Sequence, residues 1–100
     1  MDRIDFNKIR KDLIEIYKNF LENPDNEEII KKAFNYEKEY GGLSTYNEYL
    51  KSQPVPEEIE KALNWLSALY QFGIHEKNHY LSEDKILKEA KKILEELKEN

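Results

Sequence analysis

Both histidines of the chain fall in one stretch of five residues, HEKNH at 75–79. On a helix this is the H-E-x-x-H arrangement. His75 and His79, four apart, share a face and can bind one zinc ion, and Glu76 can take a proton from a metal-bound water. A hydrolytic zinc site also needs a third protein ligand and an open coordination position. Glu95, Glu96 or Glu99 in the last predicted helix could supply that ligand, although carboxylates recur at most turns there.

The context of the motif argues against such a site. Gly73 has the position of a helix terminator, with Ile74 as the apolar residue that follows a glycine cap, so the backbone leaves its helical path before His75. Lys77 and Asn78 give the motif little apolar flank to bury. The stretch resembles zinc metallopeptidases over these five residues only, and no strand is predicted to hold an extended substrate. The expectation is an interhelical loop in which Ile74, Tyr80 and Leu81 plug the end of a bundle. No cofactor is then required, beyond a zinc or nickel ion held loosely by the two imidazoles. The alternative is a small metal-dependent hydrolase using His75, Glu76 and His79.

Other chemistries lack their parts. Glu76 and His79 supply half of a Glu-x-x-His di-iron ligand set, and no third histidine exists for the other half. With no cysteine there is no thiolate ligand, thiol nucleophile or disulfide. No glycine-rich loop joins a strand to a helix, and no serine lies in a nucleophile elbow. No catalytic residue is assigned, and the chain is read as non-enzymatic.

Tyrosine is the other conspicuous residue. Tyr36, Tyr40, Tyr46 and Tyr49 lie within fourteen positions. Tyrosine offers a large contact area with few rotatable bonds and a hydroxyl that tolerates wet or dry surroundings, so it is enriched at interfaces. These four residues are the candidate partner-binding surface. If Ile29, Ile30, Ala33, Phe34 and Tyr40 form the inner stripe of their helix, Tyr36 points away from the core. The competing reading is that the tyrosines cap the core beneath a short helix.

Helical periodicity accounts for the elements that must position these groups. Phe6, Ile9, Leu13, Ile16, Tyr17 and Phe20 form one stripe, started by Asp2 or Asp5 and stopped at Pro24. A second helix starts near Asp25 or Asn26, with Glu28 as the capping-box partner of Asp25, and ends at Gly41-Gly42. A short helix spans about residues 45–51. Pro56 fits the first turn of a third long helix, whose inner face is Ile59, Ala62, Leu63, Leu66, Leu69 and Tyr70 and which ends at Gly73. Ser82 caps a last helix with the stripe Ile86, Leu87, Ala90, Ile93, Leu94 and Leu97. The fold class predicted is all-α: an antiparallel four-helix bundle with one additional short helix, in a single domain of 1–100.

Charge narrows the partners. The formal net charge is −5, and the lysine pairs 31–32 and 91–92 are too isolated to form the concentrated basic face that nucleic acid requires. A helix-turn-helix reading of residues 33–52 also fails, because its turn is too long and Glu48 opposes Lys51 on the supposed recognition helix. DNA binding is kept only as the weakest alternative. No apolar run approaches the length of a membrane span. The expectation is a cytoplasmic adaptor, inhibitor or immunity-type module whose partner is another protein, with neither nucleic acid nor membrane involved. The regular stripe of the last helix can also pair with a symmetry mate, giving a homodimer.

Overall fold

Asp5 starts the first helix of the computed structural model, which describes residues 5–24, 26–40, 55–71 and 83–99. Its carboxylate accepts the backbone N–H groups of Asn7 and Lys8 at 3.1 and 3.2 Å, satisfying two of the donors that a helix start leaves without partners. The helix, α1, runs Phe6–Glu22. Its C-terminal cap is Asn23, the residue that the following proline keeps out of the helical region.

The second helix, α2, is Glu27–Tyr40. Its cap is Asn26, whose Oδ1 accepts from the N–H of Glu28 at 2.9 Å and of Ile29 at 3.3 Å. Glu28 thus takes part through its backbone N–H, as a donor to Asn26. Asp25 itself lies outside the described residues.

The third run departs from the sequence expectation. It divides at Trp65 into α3, Glu57–Asn64, and α4, Leu66–Gln71. Trp65 has φ −86° and ψ −2°, near the bridge region. No glycine or proline occupies the break, so its cause is tertiary. The Tyr17 hydroxyl donates to the Ala62 carbonyl at 2.6 Å, the acceptor that residue 66 would use in an unbroken helix. Pro56 also sits one place earlier than expected. It is the N-cap, at φ −57° and ψ 141°, and its carbonyl receives the N–H groups of Ile59 and Glu60.

The last helix, α5, is Glu83–Glu99. Ser82, Gly73 and the predicted short helix at about 45–51 lie outside the described residues.

The molecule is an all-α bundle whose helices pack against one another around a single apolar core. α1 packs chiefly on α5 and α2 on α4, while α3 bridges α5 and α1. Three polar contacts fix the directions. Arg10 of α1 pairs with Glu58 at the start of α3, Lys61 of α3 reaches Glu96 late in α5 at 3.7 Å, and Tyr36 late in α2 donates to Asp12 early in α1. The starts of α1 and α3 therefore share an end of the bundle with the finishes of α2 and α5, the up-down alternation of an antiparallel bundle.

The core is Ile9, Leu13, Ile16, Tyr17 and Phe20 from α1, Ala33 from α2, Ile59, Ala62 and Leu63 from α3, Leu66 and Leu69 from α4, and Ile86, Ala90, Ile93 and Leu97 from α5. The predicted stripes of α1 and α5 hold, except that Phe6, Leu87 and Leu94 lie half-buried at their edges. That of α2 does not. Phe34, expected inside, is 45% exposed, with the Lys38 ammonium 5.9 Å from its ring centre. The inner face instead runs through Ile29, Ala33, Tyr36 and Tyr40, at steps of four, three and four. Tyr36, expected to point outward, is turned onto the core because Asp12 of α1 receives its hydroxyl.

Candidate functional site

The tyrosine corner is built where the end of α2 crosses the first half of α1. The rings of Tyr36 and Tyr40 lie with centroids 4.8 Å apart and planes inclined by 42°, a tilted aromatic pair within the favourable range. Both side chains are half-buried against the core, so each keeps an accessible edge.

Asp12 organises the corner. Its Oδ2 accepts the Tyr36 hydroxyl at 2.8 Å and the Lys8 ammonium, one helical turn earlier, at 3.1 Å. Burial raises the Tyr36 phenol well above its ordinary value, and the hydrogen bond and charge of Asp12 push the same way. Tyr36 therefore stays a neutral donor to a carboxylate. The hydrogen bond to Asp12 also raises the Lys8 ammonium, which stays charged. This arrangement orients the Tyr36 ring, with Lys8, Asp12 and Tyr36 hydrogen-bonded in a row.

Of the sequence-derived candidates, the structure brings Tyr36 and Tyr40 together. Tyr46 and Tyr49 lie outside the described residues, as do His75, Glu76 and His79. Among the described residues, no group of three or more His, Asp or Glu side chains is placed to hold a metal ion.

Sequence reasoning missed Asp12 and Lys8 as parts of the corner. A signal for them existed: they are spaced i, i+4 on the flank of the α1 stripe, the geometry of a paired acid and base. What α2 contributes to that flank could not be read from α1.

A second polar locus lies across the bundle. Glu57, Glu58, Lys61 and Glu96 line a shallow cleft between α3 and α5. Glu58 is ion-paired with Arg10, whose Nε is buried without a hydrogen-bond partner among the described residues. This locus ties three helices together.

Comparisons of the chain with protein-family models, curated proteins and solved structures returned no match. Among the described residues, no helix is long and apolar enough to cross a membrane.

Proposed function

We propose that the chain is a non-enzymatic helical module, in a cytoplasmic setting, that acts by binding another protein as an adaptor, inhibitor or immunity-type protein does, with the tyrosine corner as a contact surface. The observation that carries this reading is the braced aromatic pair. Tyr36 and Tyr40 are packed on one side and open on the other, their rings in contact, and Tyr36 is held by its hydrogen bond to Asp12. Side chains already ordered in the free protein lose little further freedom on binding, which favours affinity per contact. Tyrosines presented this way are typical anchors of interfaces. The position of the pair at the end of α2, directly before the sequence that carries Tyr46 and Tyr49, extends the aromatic character along the chain.

The experiment is affinity capture from the native host with the full chain, repeated with Tyr40→Ala. The expected result is a protein retained by the wild type and lost at least tenfold by the variant. Zinc titration, followed by histidine proton shifts, accompanies it. One-to-one zinc binding abolished by His75→Ala and His79→Ala, together with a hydrolytic activity that disappears in the same variants, would replace this reading with the metal-dependent hydrolase.

A further inference from the structure

On α5, Glu89 and Glu96 flank the core stripe on the side toward α3, where Glu96 meets Lys61. Leu87 and Leu94 flank it on the opposite side, which therefore faces α1. On α1, Asp12 marks the flank toward α2, and Ile14 and Leu21 lie on the other flank, toward α5. The outer seam between α1 and α5 is thus lined by four half-buried aliphatic residues, Ile14, Leu21, Leu87 and Leu94.

Immediately outside this strip each helix carries two exposed lysines, Lys11 and Lys18 on α1 and Lys91 and Lys98 on α5. None of the four makes an ion pair among the described residues, whereas Lys8 and Lys61 do. One turn on from Lys11, Lys18 and Lys91, on the side away from the seam, lie Glu15, Glu22 and Glu95. A band of basic charge therefore borders an aliphatic seam on a protein whose net charge is −5.

The spacing is as regular as the composition. Residues 14 and 21, 87 and 94, 11 and 18, and 91 and 98 are each separated by seven, two helical turns or about 10.5 Å along an axis. A helix laid along the seam would meet apolar and basic groups at its own repeat.

We propose that the α1–α5 seam is a docking surface for an acidic amphipathic helix of a partner protein, with apolar residues at heptad spacing and Asp or Glu on both flanks. Charge complementarity selects this occupant, because the four lysines would each face a carboxylate while the leucines fill the seam. The inference rests on the reading that the chain works by binding protein, and on a face separate from the tyrosine corner.

The test is a fluorescence-anisotropy titration of the full chain with a labelled helix-forming peptide. The peptide carries leucines at i, i+3, i+7 and i+10 and glutamates on both flanks, and a second version has lysines in place of the glutamates. The glutamate peptide should bind at least tenfold more tightly than the lysine peptide, and more weakly as salt is raised. Lys18→Glu with Lys91→Glu should weaken it at least tenfold, and Lys18→Gln with Lys91→Gln by less. These are exposed positions, and circular dichroism checks that the helices persist. Tyr40→Ala should bind the peptide like the wild type.

Equal affinity for both peptides, or indifference to the lysine substitutions, would overturn the proposal. So would self-association of the chain that Lys18→Glu and Lys91→Glu abolish, or tighter binding to phosphatidylserine vesicles than to the peptide. A captured partner that requires Tyr40 would leave the proposed function standing even if the peptide failed.

Discussion

Arg10 and Glu58 illustrate a contact whose strength depends on the alternative. Both side chains are largely buried, at 19% and 16% exposure, and the Arg10 Nε has no partner among the described residues. Desolvating two charges offsets much of their attraction, yet removing one partner leaves the other buried and uncompensated. Arg10→Met alone should therefore destabilise the fold by about 2 kcal/mol, between the values for exposed and fully buried pairs. Arg10→Met combined with Glu58→Leu should recover most of that loss. Urea unfolding of both single variants and the double variant checks this. A double variant as unstable as the sum of the singles would mean that the two side chains are not energetically coupled.

At the level of elements, the helix starts are separable devices. Asn26 serves two N–H groups of α2 through its side chain, and its carbonyl accepts the N–H of Ile30 at 3.1 Å. Replacing it with alanine should cost about 1 kcal/mol, a fall in melting temperature of roughly 4–8 °C for a domain of this size. Asn26→Asp should hold stability or raise it, since the added negative charge lies at the positive end of the helix dipole. Thermal unfolding followed by circular dichroism distinguishes the two. The division of α3 from α4 at Trp65 is a different kind of feature, because it depends on a hydroxyl from another helix rather than on a local stop signal.

The whole molecule couples its tyrosines to pH. Burial holds the Tyr17 phenol far above its ordinary value of 10.0, and Tyr36 is raised in the same direction. A phenol that ionises less readily in the folded chain contributes stability that is complete below about pH 10 and is lost as pH rises beyond it, where the unfolded chain releases its protons first. Stability should thus be insensitive to these groups at pH 8 and fall steeply above pH 10. Tyr17→Phe should cost about 1 kcal/mol at pH 8 through the lost bond to Ala62, and its deficit relative to the wild type should narrow above pH 10. Urea midpoints at several pH values measure both effects.

The sequence by itself determined the helical class, most of the stripes of α1 and α5, a cap at Asp2 or Asp5, of which the structure selects Asp5, and the stop before Pro24. Each follows from spacing or backbone restriction within one segment, where the interacting groups are neighbours along the chain. It misjudged α2, preferring Phe34 to Tyr36 on apolarity alone, because the Asp12 carboxylate that makes an inward tyrosine favourable belongs to another helix. The corner was legible as an aromatic cluster, but neither its orientation nor its acidic brace was. Tertiary structure alone decided the break at Trp65, the Arg10–Glu58 pair and the lysine-bordered seam. Each is a relation between helices distant in the chain, and a polar side chain's free energy is set by the groups that replace water around it, which only the packed arrangement specifies.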